Sequence, residues 1–197
     1  FQRKLVHKIK HIKNMNIGLL SAGAHKISGP KGIGILYLRD GIEITPLIYG
    51  SQEKGLRGGT ENVPGIVGLA RALEIAKKID KDKIKNIRDY LIKELEKLGE
   101  INGSKEERIY DNVNVCFPEI DGEELVLLLS SKGIFVSTGS ACDSKKQKES
   151  KVLREIGLNK DEIRSSIRIG IGKEIEKKDA DILIKEIKKL IERLKNS

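Results

Sequence analysis

The sequence predicts a mixed α/β fold in which helices and strands alternate along the chain. Two features of its 197 residues predict this fold. Short runs rich in Ile, Leu and Val and bounded by Gly or Pro are typical of strands, and longer segments repeat apolar residues every three or four positions, as helices do. Aromatic residues make up only 4% of the sequence, so the core is expected to consist mainly of aliphatic side chains. Neither an internal repeat nor a low-complexity linker interrupts the alternating order.

The first part of the chain is predicted to form strands at 16–22, 33–38 and 42–49. Each run is apolar or β-branched and is bounded by small residues, Gly or Pro. Apolar spacing predicts a largely buried helix at 62–78 and a second helix at 81–98. We place a domain boundary between these two helices, which gives domains 1–78 and 79–197.

The second domain is predicted to continue the alternating order. Its strands are expected at 113–117, 134–137 and 166–171. Its helices are expected at 123–131, 150–156 and 178–194. A loop of small residues that contains Cys142 lies between the strand at 134–137 and the helix at 150–156.

The formal net charge of +9 comes mainly from lysine. Most of these lysines alternate with Asp and Glu in the stretches 81–97 and 174–195, which is typical of a solvated helix surface with local ion pairs. We therefore expect no nucleic-acid partner. No stretch reaches the roughly 20 apolar residues that a membrane-spanning helix needs, and residues 1–13 are basic without an apolar run. The expected location is the cytoplasm, without membrane association.

Two cysteines, Cys116 and Cys142, occur in the chain. So few thiols favour a reducing compartment, where a cysteine is more often buried or chemically active than part of a disulfide. Cys116 lies in an apolar, strand-like run, whereas Cys142 follows Gly, Ser and Ala in a loop. A nucleophilic cysteine needs such access, but an ordinary loop thiol is the alternative that the local sequence leaves open.

Lys26 follows the first predicted strand and is surrounded by small residues and turn formers over 23–34. A lysine that forms a Schiff base must be able to lose its proton, and its surroundings must admit a bulky aldehyde cofactor. An exposed lysine in a turn is the alternative.

Two further segments suggest anion binding. Arg168 lies in an otherwise apolar strand, where a guanidinium needs a carboxylate partner, either from a substrate or from a protein Asp or Glu. Residues 57–62 precede the helix at 62–78 and combine Arg57, two glycines and Thr60. This segment is either a phosphate site or ordinary helix capping.

In this order, the segments resemble the cysteine desulfurases, which are class V aminotransferase-like pyridoxal-phosphate enzymes of fold type I. The resemblance spans essentially the whole chain and is carried by Ala24-His25-Lys26, 29–34 (GPKGIG), 55–62 (GLRGGTEN), Ser137-Thr138-Gly139-Ser140-Ala141-Cys142 and 165–168 (SSIR). It implies that 1–78 is the C-terminal part of the large, cofactor-binding domain. Residues 79–197 would form a small α/β C-terminal domain that carries the catalytic cysteine loop.

The same resemblance implies a cofactor site for pyridoxal 5'-phosphate. Lys26 would carry the cofactor and then move protons. His25 and Thr60 would hold the phosphate, with Thr60 reaching the cofactor of the neighbouring subunit in a homodimer, and Gln2 would hydrogen-bond the pyridoxal hydroxyl. No metal is expected.

For the sulfur chemistry, the resemblance implies that Arg168 binds the carboxylate of L-cysteine and that Cys142 takes its sulfur. The products would be L-alanine and an enzyme persulfide, which is passed to an iron-sulfur scaffold or to a tRNA-thiolation protein. The alternatives are a non-catalytic truncated homologue, serving as a binding or sulfur-carrying subunit, and an enzyme like a selenocysteine lyase.

The sequence departs from the resemblance at Gly23, where the family usually has a phosphate-binding serine. The chain also starts at Phe1 and matches only the C-terminal half of a desulfurase, without the aspartate that pairs with the pyridine nitrogen. We therefore expect these 197 residues by themselves to show little or no desulfurase activity.

Overall fold

The computed structural model describes residues 15–138 and 150–196 and divides the chain into two compact units, with the division between Ile79 and Asp80. The predicted boundary lies one residue earlier. Gln2 and Cys142 lie outside the described residues. Within the described parts of the chain, no helix is both long and apolar enough to cross a membrane.

The first unit contains a two-stranded antiparallel sheet. Strand β1 is Leu19–Gly23 and strand β2 is Gly34–Leu38, with Leu19 opposite Leu38 and Gly23 opposite Gly34. A short 3-10 helix, Ala24–Ile27, follows β1 directly. A small apolar cluster forms around the buried Leu20 and includes Ile17, Ala22 and Tyr37.

Helix α1, Val63–Lys77, follows the sheet in the chain. It begins where the Asn62 side chain accepts a hydrogen bond from the amide of Gly65 at 3.1 Å, a typical N-cap. The predicted burial of this helix is wrong for most of its large side chains. Its buried residues are Gly65, Ala72, Ala76 and one large residue, Leu69, whereas Val63, Ile66, Val67 and Ile75 are exposed.

The strand predicted at 42–49 is not formed. Pro46 has no amide hydrogen to donate to a neighbouring strand, and the side chain of Leu47 is 98% exposed, so nothing packs against it. This segment leads instead into a second 3-10 turn, Gln52–Gly55, in which Glu53 and Lys54 have positive φ angles of 48° and 57°.

The second unit contains a three-stranded antiparallel sheet in the order β3-β4-β5, formed by Glu100–Ile101, Asn112–Cys116 and Ser166–Gly170. Side chains alternate between its two faces. One face is apolar and carries the buried residues Val113, Val115, Ile167 and Ile169. The register places Asn114 opposite Arg168, so the other face is polar at its centre.

Three long helices of this unit supply most of its apolar core: α2, Lys81–Leu95; α3, Gly122–Ser130; and α6, Lys177–Lys195. Two short helices, α4 at Lys151–Glu155 and α5 at Lys160–Arg164, precede β5. Helix α5 was not predicted, although Asn159 and Glu162 form a capping box at its start.

The strand predicted at 134–137 is reduced to one isolated antiparallel bridge between Ser137 and Arg168. Phe135 is 81% exposed, so this segment lacks the packing that would extend the bridge into a ladder. The bridge nevertheless attaches residue 137 to β5.

Candidate functional site

The 3-10 turn Ala24–Ile27 holds His25 and Lys26 at the end of β1. The amide of Ala24 donates to the carbonyl of Ile33 at 3.0 Å, and the amide of Gly29 donates to the carbonyl of Ala24 at 2.9 Å. Ala24 is fully buried, whereas His25 and Lys26 are exposed. The backbone therefore fixes the turn and leaves an amine and an imidazole at the surface of this unit.

Small residues seat this turn on α1. A methyl group added at Gly29 would lie 3.0 Å from the Cβ of Ala24 and 3.1 Å from the Cβ of Ala72. A methyl group added at Gly68 would lie 2.5 Å from the Cγ of Pro30. The close approach explains why glycine and alanine occupy these positions, since larger side chains would push the turn away from the helix.

Gly23 leaves space for the imidazole of His25. A Cβ atom at position 23 would lie 3.0 Å from both Nδ1 and Cε1 of His25. The serine that the resemblance leads one to expect at this position would therefore crowd the imidazole as it is placed in this chain.

Thr60 lies in the loop that precedes α1. Gly58 donates to the carbonyl of Ile48 at 2.8 Å, and the amide of Gly59 donates to Oε1 of Gln52 at 3.0 Å. The guanidinium of Arg57 donates to the carbonyl of Gly58 at 2.9 Å. These bonds close the loop on itself and leave the hydroxyl-bearing Thr60 exposed.

Arg168 lies on β5 in the second unit, on the polar face of the sheet. Its Nη2 atom donates to Oγ of Ser137 at 2.9 Å. The main chains of the same two residues are also joined, by N–H···O=C bonds of 2.6 Å and 3.1 Å. Among the described residues, no carboxylate pairs with Arg168, so the structural ion pair considered above has no counterpart there.

A hydrogen-bonded group of polar side chains covers the same face next to Arg168. The amide nitrogen of Asn102 donates to Oδ1 of Asn114 at 2.6 Å and to Oγ of Ser166 at 2.9 Å. The hydroxyl of Ser166 donates to the carbonyl of Glu162 at 2.6 Å. The side-chain amide of Asn102 and the hydroxyl of Ser166 therefore both have acceptors within the unit.

Cys116 belongs to this region but is unsuited to sulfur transfer. Its side chain is 2% exposed. Burial raises the pKa of the Cys116 thiol, and a hydrogen bond with Ser166 offsets only part of that shift. Since the thiolate is the reactive form, Cys116 is a structural cysteine.

Sequence reasoning missed the roles of Ser137 and Asn114. Asn and Val alternate at 112–115, a pattern that indicates a strand with one polar face. This pattern in the sequence could have pointed to Asn114. No local signal reveals the pairing of Ser137 with Arg168, because the two residues are 31 positions apart.

Comparison with known proteins gives the class to which this fold and these residues belong. A family model for aminotransferase class-V matches residues 3–183, and the chain belongs to that family. The curated cysteine desulfurase IscS of Methanosarcina thermophila is 41% identical over 100% of this chain and 51% of that protein. The chain thus spans about half the length of the curated relatives it matches.

Solved structures agree with this family. A NifS-like protein matches with a TM-score of 0.81 and 36% identity over 92% of this chain and 48% of its own. SspA in complex with cysteine matches with a TM-score of 0.62 and 35% identity over 81% of this chain and 45% of its own. The predicted fold class, part of a fold-type I enzyme followed by a small α/β domain, is confirmed.

The residues of the first unit fit the pyridoxal phosphate that this family uses. An exposed amine is the group that an aldehyde requires, and imidazole and hydroxyl donors suit a phosphate. Lys26 supplies the amine, His25 an imidazole and Thr60 a hydroxyl, and all three side chains are exposed. In residues 15–138 and 150–196, no group of three or more His, Cys, Asp or Glu side chains is arranged to hold a metal ion.

Proposed function

We propose that this chain supplies the cofactor lysine and the sulfur-accepting cysteine of a cysteine desulfurase. The enzyme would convert L-cysteine to L-alanine and leave the sulfur as a persulfide on Cys142. The observation that carries the proposal is the attachment of Ser137, which begins the segment leading to Cys142, to Arg168. It joins a guanidinium suited to a substrate carboxylate to the cysteine segment, in a chain 41% identical to a curated cysteine desulfurase.

The first unit would bind the cofactor. Lys26 would hold pyridoxal phosphate through its amine and, once released, move protons on the substrate. His25 and Thr60 would bind the phosphate, and Gln2 would donate to the pyridoxal hydroxyl. When bound, the cofactor supplies the electron sink that the protein's own side chains lack.

The second unit would bind and desulfurate the substrate. The guanidinium of Arg168 would hold the carboxylate of L-cysteine, and the thiolate of Cys142 would attack its sulfur. The carbon–sulfur bond of the substrate breaks, a sulfur–sulfur bond to Cys142 forms, and the β-carbon gains the hydrogen that makes alanine. The β-carbon is reduced by two electrons, and the Cys142 sulfur and the transferred sulfur are each oxidised by one, so no external oxidant is required.

The setting of the reaction is also proposed. The enzyme would be a cytoplasmic homodimer in which Thr60 reaches the cofactor of the neighbouring subunit. The persulfide would pass to an iron-sulfur scaffold or to a tRNA-thiolation protein. Several curated relatives carry the name cysteine desulfurase IscS, which supports the sulfur chemistry from which this setting is inferred.

Persulfide formation on Cys142 tests the proposal. Because the chain spans about half of its relatives, we expect little steady-state alanine from it and therefore count single turnovers by mass spectrometry. After incubation with pyridoxal phosphate and L-cysteine, one extra sulfur should appear on the peptide of Cys142 and not on that of Cys116. The Cys142→Ser variant should lose it, and the Cys116→Ser variant should keep it.

Other results would favour the alternatives. No persulfide on Cys142, even when the N-terminal half of a curated relative is supplied as a second chain, would rule out the desulfurase chemistry and favour a non-catalytic binding subunit. Release of selenium from L-selenocysteine without any sulfur from L-cysteine would favour a lyase.

A further inference from the structure

Ser137 is bound to Arg168 in three ways. Its carbonyl accepts the amide of Arg168, its amide donates to the carbonyl of Arg168, and its hydroxyl accepts a bond from Nη2 at 2.9 Å. We infer that Ser137 is a positioning residue that sets the orientation of the Arg168 guanidinium for a carboxylate ligand. This inference rests on the proposed role of Arg168 as the residue that binds the substrate carboxylate.

The two main-chain bonds between Ser137 and Arg168 do not involve the serine side chain. They form the isolated antiparallel bridge between residue 137 and β5, so the backbone at Ser137 stays fixed whatever side chain it carries. Only Oγ depends on the serine. Its loss should therefore free the guanidinium without detaching the segment from the sheet.

A neutral partner preserves the attraction of Arg168 for an anion. The hydroxyl of Ser137 fixes one nitrogen but brings no negative charge, and no carboxylate among the described residues compensates the guanidinium. A half-buried guanidinium that has only a neutral partner binds an incoming carboxylate favourably, because the carboxylate can accept two parallel N–H bonds from it.

The neighbouring strand does not compete for the guanidinium either. The residue opposite Arg168 is Asn114, and its Oδ1 atom already accepts a bond from Asn102 at 2.6 Å. Ser137 is therefore the side chain that orients Arg168 in the described part of this face. No acceptor in residues 15–138 or 150–196 takes the remaining N–H groups of the guanidinium, which can therefore donate to a ligand.

The reactivity of Arg168 toward phenylglyoxal, mapped peptide by peptide on the full chain, tests this inference. The carboxylate probe is 3-mercaptopropionate, which carries the carboxylate and thiol of the substrate without its amine. We expect Ser137→Ala to raise the modification rate of Arg168 by about threefold or more and to weaken protection by the probe. Ser137→Thr should behave like the wild type, because it retains the hydroxyl.

Two further variants sharpen the test. Ser137→Asp should abolish protection by the probe, since an internal ion pair would replace the ligand. Ser131→Ala is the matched control, because the hydroxyl of Ser131 bonds to the carbonyl of Leu128 on α3, and both rate and protection should stay at wild-type values.

The outcomes separate this inference from the proposed function. Equal rates and equal protection in Ser137→Ala and the wild type would overturn the positioning role. A faster rate in Ser137→Ala, with no protection in the wild type, would support the positioning contact and remove the carboxylate-binding role of Arg168.

If a Ser137 variant fails to fold, a measurement on the wild-type chain still tests the inference. In nitrogen-15 NMR spectra, slow rotation of the Arg168 guanidinium, seen as separate Nη signals at low temperature, supports the inference. One averaged signal under the same conditions would overturn it.

Discussion

The amide of Gly29 donates a hydrogen bond to the carbonyl of Ala24 at 2.9 Å, and this bond closes the turn that carries His25 and Lys26. Ala24 is fully buried and its own amide bonds to the carbonyl of Ile33. The backbone on both sides of the lysine is therefore fixed by contacts that do not use the lysine side chain.

Replacing Gly29 by alanine should disturb this turn. The added methyl group would meet the Cβ atoms of Ala24 and Ala72 at 3.0 and 3.1 Å, so the turn must move away from α1. We expect a loss of about 1–3 kcal/mol in the free energy of unfolding, measured with urea. Gly170→Ala is the control, because nothing lies within 4 Å of its Cβ position. Equal stability of the two variants would contradict the packing described here.

The structural role of Cys116 predicts slow alkylation. In a Cys142→Ser variant, Cys116 is the remaining thiol. Burial raises its pKa, so iodoacetamide should label it on the order of tenfold more slowly in the native chain than in urea at the same pH. Labelling at similar rates in both states would mean that Cys116 is accessible and a rival to Cys142.

The contact between Tyr90 and Asp181 predicts a pH dependence. Tyr90 donates to Oδ1 of Asp181 at 2.6 Å, which lowers the pKa of Asp181 below 3.8 and raises the pKa of Tyr90 above 10.0. The depressed aspartate stabilises the fold above pH 3.8 and loses that effect as the pH falls through its folded-state pKa. The raised tyrosine stabilises the fold below pH 10.0 and loses that effect as the pH rises through its folded-state pKa.

Tyr90→Phe should therefore be less stable than the wild type at neutral pH. The difference in unfolding free energy should shrink in acid below pH 3.8 and in base above pH 10.0. Tyr49→Phe serves as the control, since Tyr49 is 78% exposed. A difference that stays constant from acid to base would show that the hydrogen bond is not its source.

Asp121 combines a helix cap with a bond to Arg164. Its Oδ1 atom accepts the amides of Glu123 and Glu124 at 2.9 and 3.1 Å, and its Oδ2 atom accepts Nε of Arg164 at 2.8 Å. Asp121→Ala should cost about 1–2 kcal/mol of unfolding free energy, because it removes the cap of α3. Asp121→Asn should lose less, since an amide oxygen also caps. Equal losses in both variants would assign the effect to the Arg164 contact instead.

The helices were the most predictable part of the fold. α2 and α6 carry apolar residues every three or four positions with charges between them, so their location follows from the sequence alone. The segment at 42–49 has strand-like composition, but a strand needs a partner, and Pro46 cannot donate to one. Composition indicates the preference of a segment for the strand conformation, but it does not show whether another strand is available to pair with it.

For the candidate site, the sequence predicts residues in local motifs but not the contacts between distant segments. Motif order predicts Lys26, His25, Thr60 and Arg168 as site residues, because each lies in a short and unusual local motif, and their roles stay predictions. The hydrogen bond between Ser137 and Arg168 depends on the pairing of distant segments at the edge of β5, which local patterns do not contain. The sequence did not predict the exposed apolar side of α1. The spacing of apolar residues identifies an apolar helix face, but it does not show which part of the protein covers that face.

Attachment of the cofactor to Lys26 tests the central claim most directly. The chain is incubated with one equivalent of pyridoxal phosphate, reduced with borohydride and mapped by peptide mass spectrometry. Lys31, which lies in the same glycine-rich segment, provides the matched control through Lys31→Ala and Lys26→Ala variants. We expect the pyridoxyl label mainly on Lys26, lost in Lys26→Ala and retained in Lys31→Ala. Labelling spread evenly over the exposed lysines, with no preference for Lys26, would contradict the account.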